Sequence, residues 1–382
     1  MEMFSFWLVI LALVLFIGYA LLIGYYKKGW IQSPDFEASG QFIPQKKVSV
    51  IISARNEEST ISSCLASLRE QTYPAALLEI IVVDDHSNDK TAEIVKAFTQ
   101  ENIRLISLAE QLNIEINSYK KKAIETGISA STGEWIITTD ADCVAGPYWI
   151  TAMMEFQEMN GAQLIAGPVR LMSRKNLLDV FQTLDFITLQ GITAASVYKK
   201  FHAMCNGANL GYSKKAFVQV NGFENIDAIA SGDDMLLMQK IQKQFPEKIF
   251  YIKSRQSIVS SLPAKNWKDF WQQRIRWASK TSQYDDTKIF LALLLVYLFN
   301  FCLLSLFVLS FWNVDAFLIA VLLLTCKIII EFPFVKSVAS FFEQEKLMVY
   351  FPFLQPLHLI YIVLTGLLGK FGRYEWKGRK VK

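Results

Sequence analysis

The sequence predicts a cytoplasmic α/β domain on a mostly parallel, Rossmann-like sheet, flanked by transmembrane helices. Three observations lead there. Apolar runs collect at both ends of the chain, in a protein that is 52% hydrophobic overall, and leave a stretch of ordinary soluble composition between them. Within that stretch, β-branched segments alternate with amphipathic ones, the pattern of a sheet covered on both faces. Acidic turns follow two of the strands, and ligands of such sheets sit beyond the carboxyl ends of the strands.

The first element is the run 3–26, about 24 residues without a charge, long enough to cross a bilayer at ~1.5 Å per residue. A signal peptide would have a shorter apolar core and a small-residue cleavage site, and neither is present. Lys27 and Lys28 follow this run and only Glu2 precedes it, so the positive-inside rule puts the central domain in the cytoplasm of an integral protein of the cell or inner membrane. Segment 1–27 is thus expected to be a transmembrane helix, 28–286 the central domain, and 287–382 a membrane region of two or three apolar helices. The late apolar runs are 288–311 and 316–334, around "WNVD", and about 348–369. If all three span, the basic tail "KFGRYEWKGRKVK" ends outside; Pro352 and Pro356 leave open a broken, re-entrant last segment.

Cys64, Cys143, Cys205, Cys302 and Cys326 are odd in number and show no CxxC spacing, as expected of reduced thiols. The net charge of +4 gives no support to nucleic-acid binding and suits a domain resting on an anionic leaflet.

In the central domain, "KKVSVIISARNEE" reads as a strand over 48–53 ending in a polar loop. A helix with Ile61, Cys64, Leu65 and Leu68 on one face follows. "IIVVDD" is a buried strand over 80–83 closed by Asp84 and Asp85, with an amphipathic helix after it that has Asp89 near its start. A third strand, "IRLISL", leads to the helix "KKKAIETGISAS", and "EWIITTDAD" is the fourth strand, ending in Asp140 and Asp142.

Carboxylates at i and i+2 can converge on one cation, and hard oxygen ligands select Mg²⁺ or Mn²⁺, which take the rest of their shell from water and substrate phosphates. The plainer alternative is a solvated turn in which Asp142 caps the next helix. Asp84 or Asp85 is suited to ribose hydroxyls or a base edge. Lys120, Lys121 and Lys122 are suited to a diphosphate, or to a solvated helix face. Asp233 and Asp234, after Gly232, open a further helix, and capping accounts for one of them more easily than for both. "NWKDFWQQRIRWASK" mixes Trp with Lys and Arg, as a helix at the membrane interface does. His86 reads as part of a turn, His358 as a buried or interfacial residue, and His202 as either a core histidine or a third metal ligand. The apolar stretch 176–198 reads as a core helix or as a lipid entry surface.

Taken in order, Asp85, the DAD of 140–142, the GDD of 232–234, and Gln273, Arg276 and Trp277 as QxxRW resemble the membrane-attached inverting glycosyltransferases of family 2, which have a GT-A fold. The resemblance covers about residues 47–280, and "SVIISARNEE", "KKKAIETGISASTGEW" and "NGANLGYSKKAFVQVNGF" are similar to the family's wording. It implies a GT-A-like domain over 28–286 and a metal-dependent single displacement from a nucleotide-sugar, a UDP-sugar, giving a β linkage. By the resemblance, Asp84 and Asp85 bind the nucleoside, and Lys120 or Lys121 sits near the base or phosphates. Asp140 and Asp142 hold the diphosphate through Mg²⁺ or Mn²⁺, Asp234 is the catalytic base, and Gln273, Arg276 and Trp277 close over diphosphate and acceptor. Asp233 stands where the family has Glu, which leaves open which of the two acids is the base. The expected acceptor is a lipid or lipid-linked sugar. The alternative is a processive polysaccharide synthase of the poly-N-acetylglucosamine or cellulose-synthase-like kind. A nucleotidyltransferase would also use acidic turns and a metal, but has no need of QxxRW and GDD, and a non-enzymatic membrane scaffold has no need of any of these motifs.

Overall fold

The computed structural model describes residues 2–371 apart from 99–101, 111–117, 173–175, 228, 230, 231 and 280–285, together with 374–376 and 379–381. The chain forms two compact units, neither continuous in sequence: one comprises 1–33, 173–202 and 263–374, the other 34–172, 203–262 and 375–382. Segments 173–202 and 263–286, inside the stretch expected to form one central domain, therefore belong to the helical unit. Local periodicity says what a segment is, not which neighbours bury it.

The α/β unit is built on a seven-stranded sheet in the order β3-β2-β1-β4-β8-β6-β9. Its strands are β1 (Val48–Ala54), β2 (Leu78–Asp84), β3 (Ile103–Ser107), β4 (Trp135–Asp140), β6 (Leu164–Ala166), β8 (Leu210–Ser213) and β9 (Ile249–Tyr251). The first four are mutually parallel, and β8 runs antiparallel to both β4 and β6. Val48, Val50, Ile51 and Ile52 of β1 are fully buried, as continuous β-branched runs are when helices cover both faces. The helices are α2 (Ile61–Arg69), α3 (Thr91–Ala97), α4 (Tyr119–Ala130), α5 (Trp149–Asn160), α7 (Lys214–Gln219) and α8 (Met235–Gln244). A second sheet joins β5 (Val144–Ala145), β10 (Val259–Ser261) and β7 (Val169–Leu171). Segment 34–47 is fastened to this unit by Phe36 N donating to Lys253 O (2.8 Å), Ala38 N to Gln256 Oε1 (2.8 Å), and an edge-on Phe36–Phe156 pair.

The helical unit holds α1 (Glu2–Gln32), α6 (Leu177–Tyr198), α9 (Trp267–Ala278), α10 (Thr287–Leu309), α11 (Val314–Phe341) and α12 (Phe351–Phe371). Four segments, 6–32, 287–309, 314–341 and 351–369, are long and apolar enough to cross a membrane. The α12 helix runs unbroken through Pro356, and Pro352 stands in its first turn, where a missing N–H costs least, so the prolines do not split the last apolar run. Phe311 and Trp312 project at the α10–α11 turn, 83% and 70% exposed, as aromatic residues do at a lipid–water boundary.

Two sets of buried charges inside this unit are paired, as apolar surroundings favour. Lys327 Nζ lies 2.9 Å from Glu331 Oε1, whose other oxygen accepts from Gln355 Nε2 at 2.9 Å, and Tyr19 donates to the same carboxylate. These contacts tie α1, α11 and α12 together. A second buried pair joins α6 to α9: Arg274 Nη2 is 2.9 Å from Asp185 Oδ2. Among the described residues, Arg274 Nε and Nη1 have no hydrogen-bond partner. Instead the guanidinium lies 4.2 Å from the Trp277 ring centroid and 5.2 Å from that of Phe270, at cation–π range. His358 approaches Asp185 at 3.7 Å from α12. The α6 helix packs on α1 and α11 with most of its length buried, the core-helix reading of 176–198.

Two outcomes follow from this packing. A Cβ on Gly127 would stand 2.6 Å from Ile51 Cγ2, so Gly127→Ala wedges α4 off β1. Overpacking of about 1–3 kcal/mol outweighs the gain of up to about 1 kcal/mol in helix propensity, and a lowered thermal unfolding midpoint is expected. Arg274→Met leaves Asp185 buried without its cation. A loss of about 3–5 kcal/mol is expected, measured as unfolding of the detergent-solubilised protein, whereas Arg274→Met with Asp185→Leu restores most of it.

Candidate active site

The register of the parallel strands assembles the site. β1 lies between β2 and β4, with Ala54 opposite Asp84 and Ser53 opposite Asp140, so two carboxylate-bearing strand ends come level at the same edge. Asp140 ends β4, and Asp142 follows in the turn before β5. Asp142 is steered by neutral donors: Ser261 Oγ, at the end of β10, donates to Oδ2 at 3.2 Å, and Cys143 Sγ lies 3.6 Å from Oδ1. The β5–β10 pairing, with Ser260 opposite Val144, is what brings Ser261 to this place.

The donor atoms of Asp140, Asp142 and Cys143 all lie within 4.8 Å of one another, a spacing that one cation can bridge. The two carboxylates offer hard oxygen ligands and suit Mg²⁺ or Mn²⁺. The Cys143 thiol is pushed up by burial and by Asp142 and Asp140, so it is present as a neutral thiol. Cys64, on α2, points its sulfur at Asp140 O (3.8 Å) and is likewise pushed up to about 12, first by burial and then by the two aspartates.

Lys120, on α4, joins the acidic turns. Its Nζ is 2.8 Å from Asp140 Oδ1 and 3.3 Å from Asp233 Oδ2. Burial disfavours the ammonium, but Asp140 and then Asp233 outweigh it and hold the group well above the usual lysine range. Asp234 caps α8: Oδ1 accepts from Met235 N at 2.7 Å, and Oδ2 accepts from Gly207 N at 3.1 Å. That second bond rests on β4, because Thr138 and Thr139 hydroxyls hold the carbonyls of Gly207 and Ala208 at 3.2 and 2.8 Å. A Cβ on Gly207 would stand 3.3 Å from Asp233 Oδ2, a tight contact, and 3.5 Å from Asp234 Cβ, an ordinary one, so the loop lies close against both acids.

At the β2 end, Asp85 is 1% exposed, with His86 Nδ1 3.0 Å from its Oδ1 and Arg55 Nη1 3.9 Å away. Arg55 Nη1 also donates to Asp85 O at 2.9 Å. Asn56 and His86 take left-handed conformations, φ 53° and 54°, and their loops are laced together by Asn88 N donating to Asn56 Oδ1 at 2.9 Å. The Asp84 carboxylate is buried, and its Oδ1 has no hydrogen-bond partner among the described residues.

Of the residues singled out in sequence, Asp140, Asp142, Asp233, Asp234 and Lys120 come together, and Asp84 and Asp85 share their sheet edge. Lys121 turns elsewhere: it is buried, and its ammonium donates to the carbonyls of Ile226 and, at 2.6 Å, Ile229. Lys122 pairs with Glu125 on the helix surface. Gln273, Arg276 and Trp277 are half-buried on α9 of the helical unit. His202 is an interior histidine of that unit, with Nε2 2.9 Å from Tyr26 Oη and 3.1 Å from Ser196 Oγ, and burial pushes it down to about 4. Ser261 and Cys143 beside Asp142, and the Asp185–Arg274 pair, have no signal in the sequence. Ser261 is 119 positions from the carboxylate it serves.

Known proteins give a consistent picture. Residues 49–220 match the model of glycosyl transferase family 2, and residues 135–364 that of glycosyl transferase family group 2. The chain is 29% identical over 243 residues to a probable glycosyltransferase, YdaM, of Bacillus subtilis (strain 168), covering 62% of this chain and 56% of that one. It is 24% identical over 239 residues to the poly-beta-1,6-N-acetyl-D-glucosamine synthase of Staphylococcus epidermidis, covering 60% and 53%. The chain thus spans about half the length of these curated relatives. In structure it is similar to the mannosyltransferase PcManGT from Pyrobaculum calidifontis, solved with GDP-Man and Mn²⁺, at a TM-score of 0.63 and 18% identity over 95% of this chain and 99% of that one. With a GT-A-like sheet and a family model matched over more than half its length, the chain belongs to the family 2 group of glycosyltransferases.

Proposed function

We propose that this glycosyltransferase moves a sugar from a UDP-sugar to a lipid or lipid-linked acceptor at the membrane, in one inverting displacement that depends on Mg²⁺ or Mn²⁺. The observation that carries the proposal is the meeting of the Asp140 turn and the Asp233–Asp234 turn on a single ammonium, Lys120. Asp84, with its unpartnered buried oxygen, and Asp85 accept hydrogen bonds from the nucleoside. Asp140 and Asp142 hold the divalent ion, which when bound neutralises charge developing on the leaving diphosphate. Lys120 adds its charge on the same side.

Asp234 is the base. Its two backbone hydrogen bonds fix the carboxylate in place. Each oxygen keeps a further lone pair for the acceptor hydroxyl. Asp233, ion-paired to Lys120, orients that lysine. Gln273, Arg276 and Trp277, as in similar enzymes with QxxRW, contact diphosphate and acceptor. Lys27 and Lys28 support a cytoplasmic α/β unit, and the apolar helices support an acceptor that is itself membrane-borne. The likeness to poly-beta-1,6-N-acetyl-D-glucosamine synthases supports a second reading, repeated transfer to a polysaccharide.

Membranes carrying the protein are to be incubated with labelled UDP-sugars and GDP-mannose and extracted with organic solvent. Label in the organic phase from a UDP-sugar is expected. Label held in a high-mass aqueous fraction selects the polysaccharide instead, and label from GDP-mannose alone rejects the uridine donor. In the same assay Asp142→Asn removes a metal ligand and is expected to abolish the response to added Mn²⁺. Asp234→Asn should lower kcat by about 10²–10⁴-fold at nearly unchanged donor KM, and an equal loss from Asp233→Asn alone would exchange the two roles.

A further inference from the structure

Asp140 has two claimants. One is the divalent cation that it shares with Asp142 in the proposed function. The other is Lys120, whose ammonium lies 2.8 Å from Asp140 Oδ1 while also reaching Asp233 at 3.3 Å. A full positive charge so close to one ligand oxygen both occupies that oxygen and repels a second cation. At Asp142, Ser261 Oγ donates to one carboxylate oxygen and Cys143 Sγ lies beside the other.

The two sides of the contact differ in freedom. The α4 backbone is pinned, with Gly127 tight against Ile51 and with Lys121 clamped to the carbonyls of Ile226 and Ile229. The Lys120 side chain is 23% exposed and carries its ammonium on a flexible four-carbon stem. It can swing while the helix stays.

We infer that Lys120 and the divalent cation compete for Asp140, and that the donor's diphosphate ends the competition by drawing the Lys120 ammonium off Asp140, so that cation and donor are taken up together. The inference rests on the metal–diphosphate reading given above. Its electrostatic basis is simple. A divalent cation entering alone adds charge beside an ammonium already in place. A divalent cation entering with a doubly charged diphosphate is a neutral addition, and the diphosphate oxygens give Lys120 a new anionic partner at least as good as the carboxylate it leaves. Lys120 is then a positioning residue for the metal as well as a donor-binding residue, and Asp233 serves as the anchor about which it turns.

The test uses the full-length protein in detergent. Mn²⁺ affinity is measured without nucleotide, from the spin-resonance signal of the free ion, for the wild type, Lys120→Met and Asp142→Asn. Lys120→Met is expected to bind Mn²⁺ about tenfold or more tightly than the wild type, and to bind UDP more weakly at saturating Mn²⁺. Equal or weaker Mn²⁺ binding by Lys120→Met, with Asp142→Asn still impaired, overturns the competition and leaves the metal site standing. Tighter Mn²⁺ with unchanged UDP affinity overturns the role of the diphosphate. Wild type and Asp142→Asn binding Mn²⁺ alike removes the metal site itself, and the inference with it. Lys120→Gln guards against a misfolded variant, and in either variant Mn²⁺ should raise the unfolding midpoint more than it does in the wild type.

Discussion

The constraint behind this site is the mutual repulsion of carboxylates gathered at one sheet edge. Parallel pairing of β1 with both β2 and β4 brings Asp84 and Asp140 level, and the turns beyond add Asp85 and Asp142. Burial at Asp84, Asp85 and Asp233 and close spacing at the others raise the cost of negative charge, which donors and cations offset. The structure meets the demand in three ways: by backbone and hydroxyl donors at Asp234 and Asp142, by Arg55 and His86 at Asp85, and by one ammonium between Asp140 and Asp233. Removing a neutral donor loosens one carboxylate. Removing Lys120 changes the charge of the whole group.

The helical unit solves the opposite problem. Its outer surface is apolar, so what specifies its packing is the few polar groups that must find one another inside. Lys327, Glu331, Gln355 and Tyr19 do so across three helices, and Asp185 with Arg274 does so between α6 and α9. Ion pairs in such surroundings are weak contributors to net stability but strong discriminators of register, since a slip by one residue leaves a charge unpaired. Glycines set the closest approaches: a Cβ at Gly29 would lie 3.0 Å from Ala195, and one at Gly191 would lie 2.5 Å from Val338.

Much of this was readable in the sequence, and what was not has a common cause. The strands at 48–53 and 80–83 and the one in "EWIITTDAD" announce themselves by apolar, β-branched runs, and the acids at the ends of the last two fall where open α/β sheets bind ligands. The division into units did not announce itself, because the apolar stretch of α6 reads as a core helix as readily as a lipid entry surface, α9 lies within the stretch read as the central domain, and only tertiary packing assigns both to the helical unit. Ser261 reaches Asp142 through the pairing of two very short strands, β5 and β10, which carry too few residues to show a period of two. Arg274 was hidden by its neighbours: within "QQRIRW" the motif draws attention to Gln273, Arg276 and Trp277, while the residue that faces inward is the other arginine.

The three consecutive lysines of α4 show why composition could not have divided the labour. As a sequence, "KKK" is one positive patch. On a helix, successive side chains point about 100° apart, so adjacent residues look in different directions. Lys120 faces the acids, Lys121 faces the loop that leads to Asp233 and Asp234, and Lys122 faces solvent and Glu125. The first two therefore act on the same pair of acids by different routes, one through charge and one by fixing the chain that delivers them. A helix anchored to β1 at Gly127 thus sets both where the acidic turn stands and what neutralises it, which makes α4 the element through which sheet geometry becomes site electrostatics.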